Sequence, residues 1–182
     1  KISTNETEQT RTIVLNEKIN NLIYDSGILY FTVNNLLGDY IARYNISSQT
    51  LMKLTIDAGS SLTIVGNYLY YVNVDLLTSA FIGKGIYKVN KSPLADNNYS
   101  GTKVIEASKE GISSLYSDGS NLFYYDINGY KLMKYKISDG SSVNVLEGFV
   151  KPADPSPFSK DDGMKIASYE DAIYYLDLYD GR

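Results

Sequence analysis

Asn67-Tyr-Leu-Tyr-Tyr-Val-Asn73 decides the fold, because the chain writes this phrase four times with variations. Gly27-Ile-Leu-Tyr-Phe-Thr-Val precedes it; Asn121-Leu-Phe-Tyr-Tyr-Asp-Ile and Ala172-Ile-Tyr-Tyr-Leu-Asp-Leu follow. Anchored on Leu29, Leu69, Leu122 and Ile173, the steps are 40, 53 and 51 residues. A recurrence of that length marks repeated supersecondary units.

Each repeat has one grammar. A short first strand is expected at Ile19–Tyr24, Ser61–Val65, Ile112–Tyr116 and Met164–Ser168. A turn of Gly, Asp, Asn and Ser follows, as at Asp25-Ser-Gly27 and Ser117-Asp-Gly-Ser-Asn121. Such residues accept positive φ or cap their own backbone. The aromatic phrase is the second strand. The third alternates apolar and polar residues at Tyr40–Asn45, Gly85–Asn90 and Lys131–Ile137, the pattern of a half-exposed antiparallel strand. The fourth falls at Thr50–Thr55, Gly101–Ile105 and Ser142–Leu146. No window keeps a helical period, and β-branched and aromatic residues dominate.

Four strands in 40 to 53 residues is the arithmetic of a β-propeller blade. The expected fold is therefore all-β. Residues 1–10 form a frayed N-terminal segment and 11–182 the propeller repeats, with blades at about 19–55, 61–105 and 112–146 and a partial blade at 164–182. Arg11–Leu15 reads as the last strand of a preceding blade, which makes fifteen strands. About 3.5 to 4 blades are expected to belong to a larger propeller, and open blade edges invite self-association.

Composition narrows the chemistry. Eighteen Tyr stand against five Phe and no Trp, and Tyr suits pleated surfaces whose hydroxyl end reaches water. The net charge is −4, and no basic run offers a footprint for nucleic acid. Without Cys or His, the chain lacks disulfides, thiolate and imidazole metal ligands, and the usual Ser–His and Cys–His nucleophile systems. No apolar stretch reaches the length of a membrane span.

The pattern of Asp118-Gly-Ser-Asn-Leu-Phe-Tyr-Tyr-Asp126 with Lys131-Leu-Met-Lys-Tyr-Lys-Ile-Ser-Asp-Gly140, echoed at Asn67–Asn73 with Ile86–Asn90, resembles the bacterial DUF5050-type propellers. These are similar to the propeller of low-density lipoprotein receptor-related proteins. The resemblance spans the chain from about residue 11 and implies an extracellular or cell-surface bacterial protein. The receptor propellers carry Tyr-Trp-Thr-Asp; here the phrase has no Trp.

The expected role is recognition or scaffolding without catalysis. Blades would hold rim loops against a protein or a cell-wall carbohydrate. Candidate ligand-binding residues are Tyr71, Tyr125 and Tyr175 of the aromatic stripe, with Phe81 and Phe158 in the long loops 75–83 and 151–163. The opposing reading of the stripe is packing of blade on blade. Asp96, Asn98 and Ser100, followed by Gly101, match the opening of a calcium loop, but Ala107 stands where a bidentate Glu belongs. Asp161 and Asp162 form a second cation candidate; the alternatives are a polar hairpin loop between the third and fourth strands for the first segment and a solvated turn for the second. No cofactor is otherwise expected. The alternatives are a His-free glycoside hydrolase or polysaccharide lyase, and a sensor module of a larger regulatory protein.

Overall fold

The computed structural model describes residues 18–33, 38–74, 83–109, 111–146, 164–169 and 172–177. Among them there are fourteen strands and no helix. The first sheet runs β1 (Ile19–Asp25), β2 (Ile28–Val33), β3 (Tyr40–Asn45) and β4 (Thr50–Thr55), each antiparallel to the last. The second unit is β5 (Gly59–Val65), β6 (Tyr68–Val74), β7 (Gly83–Asn90) and β8 (Thr102–Glu106). The third is β9 (Ile112–Ser117), β10 (Asn121–Asp126), β11 (Lys131–Lys136) and β12 (Ser142–Leu146). β13 (Met164–Tyr169) and β14 (Ala172–Asp177) form a hairpin. Arg11–Leu15 lies outside the described residues.

The first strands of the four units lie side by side: β5 touches both β1 and β9, and β9 touches β13. The sheets therefore fan out from their first strands and pack face to face, the arrangement of propeller blades. The second and third blades are also joined by one ladder pair, Gly83 with Ile112. A side chain at Gly83 would strike the Ile112 carbonyl and Val72, so the close approach requires glycine there.

Packing explains the doubled aromatics. Neighbouring residues of a strand point to opposite faces of its sheet, so the pair Tyr70–Tyr71 serves two seams. Tyr71 packs with Leu62, Leu69 and Val89 against Tyr30, Ile41 and Leu54 of the first blade. Tyr70 points the other way, and with Val72 and Ile86 meets Ile112, Leu115, Leu122 and Tyr124 of the third. Phe31, Val33 and Ala42 gather on the opposite face of the first blade from Tyr30. Phe123, Tyr125 and Leu132 do so on the third. Each large apolar side chain buried in this way contributes roughly 1.5–3 kcal/mol.

Two irregularities recur in all three four-stranded blades. The innermost strands each contain a β-bulge whose extra residue has positive φ: Asn21 at 47°, Ser61 at 47° and Ser114 at 51°. The outermost strands are bulged at Leu54, Val104 and Val145. A bulge bends its strand and sharpens the right-handed twist, which suits sheets that must turn about a common axis.

Candidate functional site

The most developed polar assembly sits at the seam of the first two blades and begins at Thr55, the last residue of β4. Strand alternation turns Thr55 inward, and the short connection to β5 drops Asp57 into the seam, where both residues are buried. Across the seam, β6 delivers Tyr71, whose ring is fully buried. The Tyr71 hydroxyl donates a short hydrogen bond to Asp57 Oδ2. The Gly101 N–H donates to the same oxygen at 2.8 Å and also reaches the Tyr71 hydroxyl at 3.1 Å. Thr55 has one hydroxyl proton; it serves the Tyr99 carbonyl at 2.6 Å, and the 3.2 Å contact to Asp57 is secondary. A buried carboxylate without donors would be very costly, and this one, carried by the β4–β5 connection, is supplied by two donors of the second blade. Burial, then the bond to the Asp57 carboxylate, raises the Tyr71 hydroxyl well above the ordinary phenol range, so Tyr71 stays a donor. A side chain at Gly101 would run into the Tyr71 hydroxyl and lie 2.8 Å from the Lys88 carbonyl, which explains the glycine.

Gly101 closes the long β7–β8 loop, residues 91–101. This loop leaves its own blade and runs beside β4, the outermost strand of the first. Lys53 N–H donates to Asp96 Oδ1 at 2.9 Å, and Asn97 N–H donates to the Lys53 carbonyl at 3.1 Å. Two residues further on, Tyr99 meets Thr55; two beyond that, Gly101 meets Asp57. The loop therefore tracks β4 in parallel and gives its unpaired edge partners, one of the ways proteins protect edge strands. At its start the Lys91 ammonium binds Asp25 Oδ2 at 2.7 Å. The Arg43 guanidinium donates to the Lys91 carbonyl and Ser92 Oγ, both at 3.3 Å. Hydrogen bonding to Lys91, with a smaller contribution from Ser26, holds the Asp25 carboxyl below its usual pKa. The corresponding β11–β12 connection is a tight turn around Gly140 at φ 73°, too short to clasp β8.

The sequence candidates fall differently across this picture. Tyr71 is buried between the first two blades, and Tyr125 is buried with Phe123 and Leu132 of its own blade. Tyr175 lies on β14 opposite Ile166. Phe81, Phe158, Asp161 and Asp162 lie outside the described residues. Asp96 uses its carboxylate to accept a backbone N–H of the neighbouring blade, and Asn97 Oδ1 accepts the Tyr99 N–H at 3.1 Å. Asn98 and Ser100 share that loop. Among the described residues no three Asp, Glu, His or Cys side chains gather as a metal site. Sequence reasoning missed Asp57; its only signal was a lone carboxylate in the apolar run Leu54-Thr-Ile-Asp-Ala58.

The described residues contain no helix long and apolar enough to cross a membrane. No family model matches the chain, and no curated protein matches it. Among solved structures it is similar to the crystal structure of TolB from Acinetobacter baumannii, with 13% identity and a TM-score of 0.49. The match covers 84% of this chain, which spans 38% of that one.

Proposed function

We propose that the chain is a recognition or scaffold module of the β-propeller type. It docks a protein or a cell-wall carbohydrate on loops held rigid by the blades, in an extracellular or cell-surface setting, and leaves its ligand unchanged. One observation carries this reading. Asp57, the buried carboxylate of the described residues, lies beneath the surface with its Oδ2 accepting from Tyr71 and from the Gly101 N–H of the clasping loop. A general base needs a lone pair within reach of a substrate proton. Here the carboxylate is committed to fixing one blade against the next, and the loop it fixes faces solvent. The setting rests on the resemblance of the repeats.

The test is incubation of the purified chain with labelled cell-wall glycans and surface peptides, followed by both retention and product analysis. Ligand recovered bound and intact is the expected result. Cleavage of any glycan by the wild-type chain overturns the reading in favour of a carbohydrate-active enzyme.

A further inference from the structure

We infer that the outer face of the β7–β8 loop is the docking surface of this recognition module, and that its partner is an acidic protein segment bearing apolar side chains. The inference rests on the recognition reading and adds the place and the partner's chemistry. At Tyr99 the main chain is fixed at both ends: its N–H binds Asn97 Oδ1 and its carbonyl accepts from Thr55. Its ring is nevertheless 78% exposed. Leu94, in the same loop, is wholly exposed. On the strand and connection that the loop clasps, Leu51 and Ile56 are about half exposed. Apolar side chains scattered singly need no explanation, but a group on one clasped element marks a contact surface. Backbone held in place by hydrogen bonds loses little freedom on binding, so Tyr99 is a preorganised anchor, with Leu94 exposed beside it in the loop.

Charge selects the partner. The chain is net acidic, yet residues 40–106 carry six Lys or Arg against four Asp or Glu. Within that stretch Lys91 is paired with Asp25 and Lys103 with Glu106, Asp57 is buried, and Asp96 accepts from Lys53 N–H, which leaves Arg43 and Lys53 as the cations at the clasp. Lys53 holds its ammonium 4.9 Å from the centre of the Tyr40 ring, and Arg43 lies at the start of the loop. An acidic segment would meet cations around the apolar anchors, and complementary charge of this kind steers and orients association.

The probe is a display library of random dodecapeptides panned on the full chain at low salt. Enriched peptides are expected to combine Asp or Glu with aromatic or aliphatic residues. Their affinity should fall at least tenfold on the Leu94→Ser/Tyr99→Ser variant, whose melting temperature stays that of wild type because neither side chain packs. Lys53→Glu should weaken the same peptides and flatten their dependence on salt. Peptides that bind the double variant undiminished overturn the inference while leaving the recognition reading standing. So do enriched peptides without acids, or a double variant that melts early. A library that enriches nothing overturns peptide recognition at this surface altogether. A wild-type dimer in light scattering that the double variant abolishes would make the occupant a second copy, and would also overturn it.

Discussion

Replacing Tyr71 by Phe removes one oxygen from the middle of the seam and leaves the ring in place. The lost interaction is a hydrogen bond from a fully buried hydroxyl to the buried Asp57 carboxylate. Hydrogen bonds to charged groups contribute about 1.5–3 kcal/mol. Asp57 keeps the Gly101 N–H at 2.8 Å, so its carboxylate is weakened in solvation and not stripped of it. The Gly101 N–H also loses its second acceptor, the Tyr71 hydroxyl at 3.1 Å. A cost of about 2 kcal/mol is therefore expected, which for a chain of this length lowers the melting temperature by roughly 4–8 °C. Equilibrium urea unfolding of wild type, Tyr71→Phe, Asp57→Asn and the double variant would form a cycle, and the coupling between the two sites should exceed about 1 kcal/mol. The slope with urea should not change, because the surface exposed on unfolding is the same. If Tyr71→Phe unfolds at the wild-type midpoint and the cycle shows no coupling, the seam is held by its apolar contacts alone. The claim that Asp57 is a structural group would then be refuted.

Two smaller perturbations address the clasp. Asp96→Ala removes the acceptor of the Lys53 N–H; the expected cost is about 1 kcal/mol, and hydrogen exchange of the Lys53 amide should speed up while that of β6 amides stays slow. Asp25→Asn tests the ion pair with Lys91. The folded-state pKa of Asp25 is depressed, so its contribution is present above the unfolded value of about 3.9 and lost as pH falls through the folded one. Thermal melts should show Asp25→Asn below wild type at neutral pH. The gap should close on acidification below about pH 4; a constant gap would mean the charge of Asp25 does not contribute.

The strands were legible where turn chemistry and alternation agree. At Asp25-Ser-Gly27 the turn needs positive φ at Ser26 and Gly27, 50° and 82°, and the sequence supplies small residues there. β3, β4 and β12 run over the residues marked by their pattern. Alternation fails at the bulges. Ser60 and Leu62 are two apart yet pair with Val72 and Tyr71, which lie on opposite faces. The pattern therefore marks β5 from Ser61, whereas the strand begins at Gly59. The candidate site was less legible, because its groups come from distant parts of the chain: Asp57 and Gly101 are 44 residues apart, and no periodicity links them. The oxygen-rich run Asp96–Ser100 was visible as a pattern. Its use was not, since bonding the edge of a neighbouring strand and holding a cation call for the same residue types. Gly101 is required as the calcium-like spacing suggests, but for the approach of the Tyr71 hydroxyl.

The paired aromatics bear on how such a chain can lengthen. Tyr70 and Tyr71 belong to different seams, so a blade carries both a leading and a trailing mating surface. A duplicated gene segment encoding one blade would arrive already able to join its parent on either side, and no new interface would have to be invented. The clasp breaks that interchangeability. Only the second of the described blades reaches back with a long loop to grip its predecessor's outermost strand, so the first two blades form a matched pair that copying or shuffling single units would divide.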